Sequence, residues 1–279
     1  MSGDLDRSNE AARPAPLPTL AKACVRGAKH VRDNRPGQDA IASAAADDLV
    51  ALAVADGHGT SARADVGASL AVQVAIEHLL RFGREVRDVA ELRRVQAYAS
   101  HPLRLHLVRD WIDRVRQHAN DDAIDLQIYG STLLFALATP SYLLLGQLGD
   151  GDILLARAGG DLVRPIAADP ANFAEETSSL CQPEAWTKLQ VRVQPAPRAE
   201  TLLLLSTDGY GKSYASDAVF EQIAPDYLEM MRADQPADVE RQLPEILDAV
   251  SAGGSGDDIA FGILYWAAPK EGEAPCASS

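Results

Sequence analysis

Six short apolar runs decide what kind of fold this chain can adopt. They are LVALAVA (Leu49 to Ala55), STLLFALA (Ser131 to Ala138), SYLLLGQLG (Ser141 to Gly149), DILLARA (Asp152 to Ala158), TLLLLST (Thr201 to Thr207) and DIAFGILYW (Asp258 to Trp266). Each is too short for a core helix, and most are bounded by Gly, Asp or Pro. Each therefore reads as a strand buried on at least one face. Several lie a single turn apart, which favours antiparallel hairpins. Between them run stripes at helical spacing. Val66, Leu70, Val74 and Ile76 with Leu79 follow the capping candidates Thr60 and Ser61. Leu105, Val108, Ile112 and Val115 form a second stripe, and Val239, Leu243, Ile246 and Val250 a third. Helices grouped between runs of strands, without regular βαβ alternation, predict an α+β fold.

The chain of 279 residues, 47% apolar and 24% charged, has the composition of a globular protein, which excludes wholesale disorder. No Pro/Gly/Ser linker divides it, so the expectation is one domain over residues 20–267, large enough to fold without disulfide staples. Residues 1–19, with Pro14, Pro16 and Pro18, read as a disordered lead-in, and residues 268–279 as a disordered tail. Lys plus Arg number 26 against 40 Asp plus Glu, a net charge of −14. That balance argues against a nucleic-acid partner and suits a protein that concentrates cations. Cys24, Cys181 and Cys276 are odd in number and scattered, which fits thiols in a reducing compartment. The polar start MSGDLDRSNE has no secretory h-region, and no apolar run spans a bilayer. The expected location is cytoplasmic, with no membrane partner.

The feature with chemical content is a recurrence at the strand ends. Asp56-Gly57-His58-Gly59 follows the first run, Gly149-Asp150-Gly151-Asp152 joins two others, Asp208-Gly209 follows TLLLLST, and Gly256-Asp257-Asp258 precedes the last. Asp39, in PGQDA, stands in the same style. A carboxylate beside a buried strand costs several kcal/mol, roughly, unless something neutralises it. These segments hold few Lys or Arg. Divalent cations neutralise several carboxylates at once, and hard oxygen ligands suit Mg²⁺ or Mn²⁺. Such a cage could hold two ions about 3.5–4 Å apart, an arrangement used in phosphoryl hydrolysis. Asp-Gly is equally a common turn dipeptide, so any one of these sites alone leaves a turn-only reading open.

Five of these segments, in this order, resemble the blocks of the metal-dependent serine/threonine protein phosphatases of type 2C. They are VADGHG (54–59), the Gly130-Ser131-Thr132 that opens a strand, LGDGDILLA (148–156), LLLLSTDGYG (202–211) and GDDIAFGIL (256–264). HVRDNRPGQDA (30–40) and NFAEETSSL (172–180) resemble a bacterial branch. The resemblance covers about residues 24–266. It implies a four-layer α-β-β-α sandwich, two antiparallel sheets flanked by helices, with the metals in a cleft at one end. Carried over by position, Asp56 bridges two Mn²⁺ or Mg²⁺ ions and the Gly57 carbonyl binds one. Asp208 and Asp257 complete the coordination of the other ion, with Asp258 able to share the role of Asp257. Asp150 with Asp208 holds a third, weaker ion, and Asp39 orients bound water. A metal-bridging hydroxide attacks phosphoserine or phosphothreonine, and His58 matches the proposed general acid. For His58 a turn-only role stays open. The implied partners are phosphorylated proteins and a Ser/Thr kinase that the enzyme opposes.

The chain departs from the family pattern in places. Gln38 stands where many members have Glu. Asn34 replaces the usual phosphate-binding Arg, which leaves Arg32, Arg35 and His30 as substitutes. Asp152 replaces the Arg of the third block, and Ala260 replaces a Thr. The metal core is intact, while phosphate positioning changes. A phosphatase-like binding module without turnover and a hydrolase of small phosphoesters are therefore the competing readings. His78, His101, His106 and His118 are expected at the surface, and Trp111 in packing or at a partner surface.

Overall fold

The computed structural model describes residues 14–58, 61–87, 91–167 and 177–268. Among these residues ten strands form: β1 (Thr19–Val25), β2 (Ala40–Ala46), β3 (Leu49–Ala55), β4 (Leu133–Ala138), β5 (Tyr142–Leu148), β6 (Asp152–Arg157), β7 (Leu162–Val163), β8 (Gln190–Pro195), β9 (Thr201–Ser206) and β10 (Ile259–Trp266). They pair into two five-stranded sheets, β1-β10-β9-β6-β7 and β2-β3-β4-β5-β8. Every pairing is antiparallel. The helices are α1 (Ala28–Arg32), α2 (Ala64–Glu85), α3 (Leu92–Tyr98), α4 (Arg104–Ala119), α5 (Ala185–Lys188), α6 (Asp208–Gly211), α7 (Asp217–Glu221), α8 (Ile223–Ala233) and α9 (Pro236–Gly253).

Side-chain alternation along the strands explains the layers. On β3, Val50, Leu52 and Val54 meet Leu203, Leu205, Ala260 and Leu264 of the other sheet in a core between the sheets. The alternate residues Ala51, Ala53 and Ala55 pack outward with Ala68, Ala71, Val72 and Leu79 of α2 and Trp111 of α4. On β9, Leu202 and Leu204 join a third core with Tyr227 and Leu228 of α8 and Val239, Leu243 and Leu247 of α9. The central strands are thus buried on both faces, which is why they read as unbroken apolar runs. Two sheets with helices outside both make the expected α-β-β-α sandwich.

Local expectations fare unevenly. Helix α2 begins at Ala64 with Arg63 at its N-cap and no side-chain cap bond. Thr60 lies outside the described residues, and the Ser61 hydroxyl donates to the Gln127 carbonyl instead. The expected disordered lead-in is corrected from residue 14 onward: the Ala15 N–H donates to the Pro140 carbonyl at 2.9 Å, and β1 starts at Thr19. Residues 1–13 and 269–279 lie outside the described set. His78 is buried, not at the surface. Its Nε2 pairs with Asp110 at 2.7 Å and its Nδ1 with Arg81, so a polar network satisfies it inside the helical layer. Trp111 is fully buried and its Nε1–H donates to the Gly67 carbonyl.

Candidate metal centre

Antiparallel order gathers the acidic residues. Asp56 follows the end of β3, and Ser131 and Thr132 precede β4, its neighbour. Asp150 lies in the turn from β5 to β6, Asp208 follows β9, and Asp257 precedes β10, which pairs with β9. Asp39 precedes β2, whose first residue pairs with the last of β3. Ends and beginnings of adjacent antiparallel strands lie side by side, so all of these residues share one end of the sandwich.

Asp56, Asp150, Asp208 and Asp257 line a cleft of about 230 Å³. Its walls include Gln38, Asp56, Gly57, His58, Asp150, Thr177, Asp208, Lys212, Asp257 and Asp258. Carboxylate oxygens of Asp56, Asp150 and Asp208 lie within 4.8 Å of one another. The backbone holds Asp56 firmly: its N–H donates to the Thr132 hydroxyl at 2.9 Å, and the Thr132 N–H donates back to the Asp56 carbonyl at 2.8 Å. Below the cleft, Asp39 accepts from the Thr207 hydroxyl at 2.6 Å and from the Ala260 N–H at 3.1 Å. The Asp39 and Asp56 carboxyl groups lie close enough to influence each other's charge.

The electrostatics follow from crowding. Burial, with Asp258 and Asp208 nearby, pushes the Asp39 carboxyl up to about 7 against its hydrogen bond from Thr207. Burial raises Asp56 well above the ordinary carboxylate range, and Asp39 and Asp208 add to it. Asp208 rises to about 6, again through burial and then Asp150, although Lys212 opposes the shift. Partial burial disfavours the Lys212 ammonium, yet Asp208, Asp150 and Asp56 outweigh it and hold that group charged. Like charges drawn together under partial desolvation call for a cation.

The sequence-predicted residues divide into those the fold converges and those it does not. His58 stands at the cleft, half-buried, with its backbone N–H on the Gly130 carbonyl at 3.0 Å. A Cβ on Gly130 would lie 2.7 Å from the His58 ring carbon Cδ2, so glycine at 130 makes room for the ring. Asp257 is exposed at the cleft. Asp258 turns inward, 3% exposed. It accepts from the Gly27 N–H at 2.6 Å and the Gln38 N–H at 2.6 Å, and it pairs with His30 Nδ1 at 2.8 Å. His30 is therefore buried against Asp258. Arg32 has a side chain 71% exposed, set against Asp33 at 3.3 Å. Neither Arg32 nor Arg35 is among the residues that line the cleft.

The donor set is oxygen only, as hard divalent ions require. Gln38 adds to it: the residue is 7% exposed, lines the cleft, and its Oε1 is buried without a hydrogen-bond partner among the described residues. An orphaned acceptor beside crowded carboxylates fits a cation or its water. The residues present fit Mn²⁺ or Mg²⁺.

The family model described as Protein phosphatase 2C matches residues 26–248. The chain belongs to the protein phosphatase 2C family. Solved structures agree with its fold. A bacterial serine phosphatase is 15% identical, aligned over 91% of this chain and 99% of its own, with a TM-score of 0.62. PppA, a key regulatory component of the type VI secretion system (T6SS) in Pseudomonas aeruginosa, is 20% identical over 90% and 99%, with a TM-score of 0.58. The catalytic domain of the serine/threonine protein phosphatase PstP, in complex with two manganese ions, is 17% identical over 89% and 98%, with a TM-score of 0.54. No curated relative matches the sequence. Among the described residues no helix is long and apolar enough to cross a membrane.

Sequence reasoning missed several residues of this candidate site. Lys212 contacts both Asp208 and Asp150. Its position four residues after Asp208 was a readable signal once Asp208 opens a helical turn. Thr207 anchors Asp39, and the Thr177 hydroxyl donates to Asp150 at 3.2 Å.

Proposed function

We propose that this protein is a metal-dependent protein serine/threonine phosphatase that removes phosphate from phosphoserine and phosphothreonine and opposes a Ser/Thr kinase. The observation that carries the reading is the convergence of Asp56, Asp150, Asp208 and Asp257 from four separate strand ends on one cleft. Asp56, Asp208, Asp257 and the Gly57 carbonyl hold Mn²⁺ or Mg²⁺. When bound, the ions supply Lewis acidity, activating water and neutralising the phosphoryl oxygens. Asp39, tethered by Thr207 and Ala260, sets its carboxyl group below Asp56, where its charge adds to the crowding that a cation relieves. His58, at the cleft wall, gives a proton to the leaving alkoxide, which is a poor leaving group without one.

The test is phosphate release from a phosphothreonine peptide by metal-stripped protein. The expected result is negligible turnover with a chelator and full activity on adding Mn²⁺. Turnover that ignores the chelator refutes the metal reading. Intact Mn²⁺ binding with no turnover on any phosphopeptide points to a phosphatase-like binding module instead. His58→Ala separates the acid role from a turn role. Its rate is expected to fall about 10²-fold on alkyl phosphoesters. On p-nitrophenyl phosphate, whose leaving group needs little protonation, the loss is expected to be only a few-fold. Equal losses on both substrates remove His58 from the proton transfer.

A further inference from the structure

The cleft carries a positive charge of its own. Lys212 stands one helical turn after Asp208, and its N–H donates to the Asp208 carbonyl at 2.8 Å, which closes α6. Side chains four apart on a helix share a face, so the ammonium folds back over the Asp208 carboxylate and pairs with Oδ2. The same nitrogen lies 3.5 Å from Asp150 Oδ2. That Asp150 oxygen already accepts from the Thr177 hydroxyl at 3.2 Å. Two protein donors thus converge on the Asp150 oxygen that faces Asp208. Lys212 is also the only Lys or Arg among the described residues lining the cleft.

These two carboxylates are the pair to which the sequence resemblance assigned a third, weaker ion. An ammonium in contact with both supplies the neutralising charge and repels a divalent ion approaching the same oxygens. Asp56, with a carboxylate oxygen within 4.8 Å of the same pair, and Asp257 complete the acidic wall of the cleft.

We infer that Lys212 is the built-in third cation of this cleft: its ammonium, seated between Asp208 and Asp150, takes the place of a third divalent ion and limits the site to two. The inference rests on the metal reading of the cleft given above. It also assigns Lys212 a second consequence. With Arg32 and Arg35 outside the cleft lining and His30 buried on Asp258, Lys212 is the one Lys or Arg among the described residues of the cleft wall that could meet a phosphoryl group there.

The test counts Mn²⁺ on metal-stripped full-length protein by isothermal titration calorimetry, with electron paramagnetic resonance of free Mn²⁺ as a second count. Wild type is expected to bind two ions. Lys212→Met and Lys212→Gln are expected to bind a third, at least ten-fold tighter than any residual third binding in wild type. Lys212→Arg, which keeps the charge, is expected to stay at two. Adding Asp150→Asn to Lys212→Met is expected to remove the gained ion. The Lys212 side chain is 58% exposed, so its neutral variants are expected to fold, as a thermal melt checks. Three ions in wild type overturn the inference alone, as does a neutral variant that still binds two with unchanged affinity. No Mn²⁺ bound by wild type overturns the metal reading of the cleft and the inference with it.

Discussion

Asp56→Asn is expected to lower phosphopeptide turnover by about a hundredfold or more while raising the melting temperature of the metal-free protein. The two effects have one cause. Asp56 is desolvated, and Asp39, Asp208 and Asp150 crowd it with like charge. A divalent ion turns that crowding into affinity; without an ion it is a load on the fold. An amide at 56 keeps the size and can donate to Asp39, but it has one oxygen and no charge to offer a cation. The loss of one ligand that positions charge at the reacting phosphoryl group falls in the range of 10²–10³ in rate. The stability gain has a definite pH signature. Asp39 and Asp208 titrate at about 7 and about 6 in the folded protein, above their value of 3.8 in an unfolded chain. Between those limits the folded state holds protons that the unfolded chain has released. The metal-free fold is therefore most stable below the ordinary carboxylate range and loses stability as pH rises through about 6 to 7. Melting curves of chelated wild type from pH 5 to pH 8 are expected to shift downward by several degrees. Asp56→Asn is expected to flatten that slope, and Mn²⁺ to raise the wild-type midpoint more at pH 8 than at pH 5. A variant that loses turnover yet melts like wild type at every pH contradicts the picture of mutually repelling carboxylates.

What could be read from the residues alone, and what could not, separates along burial. Strands such as β9, with Leu202 to Leu205 fully buried, advertise themselves because both faces are apolar. β2, Ala40–Ala46, is alanine-rich and only partly buried, so its composition carries no strand signal. β8 lies at a sheet edge, mostly half-exposed, and reads as a polar loop. Asp56, Asp150, Asp208 and Asp257 were legible because each lies at the end of a legible strand, whereas Asp39 abuts β2. Which of two adjacent aspartates is buried was not: both line the cleft, with a carboxylate oxygen of each within 4.8 Å of the other, yet Asp258 is 3% exposed and Asp257 lies open to solvent. Gly209 packs against this pair: a Cβ there would collide with the Asp258 carbonyl. His30 was read as a phosphate candidate from its place near the opening block. No pattern in the sequence announces that its partner lies 228 residues away.

That partner sets the second large expected effect. Asp258→Ala is expected to destabilise the protein by about 3–5 kcal/mol and to weaken Mn²⁺ binding together with it. The Asp258 carboxylate gathers three donors from the opening segment, the N–H groups of Gly27 and Gln38 and the His30 ring. Alanine leaves them unpaired and buried, and each unmet buried donor costs about 1–3 kcal/mol. The functional part of the effect comes from connectivity. Gln38 and Asp39 lie at the end of that opening segment, and Asp257 immediately precedes Asp258, so one carboxylate ties the floor of the cleft to one of its proposed ligands. Asp258→Asn tests the charge separately from the shape. Its single oxygen can keep one backbone donor, while its amide faces the other, so it is expected to recover part of the stability and to leave His30 without its anion. Denaturant titration gives the stability of each variant, and calorimetry at a temperature where both are folded gives the Mn²⁺ affinity. If Asp258→Ala binds Mn²⁺ as tightly as wild type once folded, the inward aspartate stabilises the fold without positioning Asp257, and the two roles come apart.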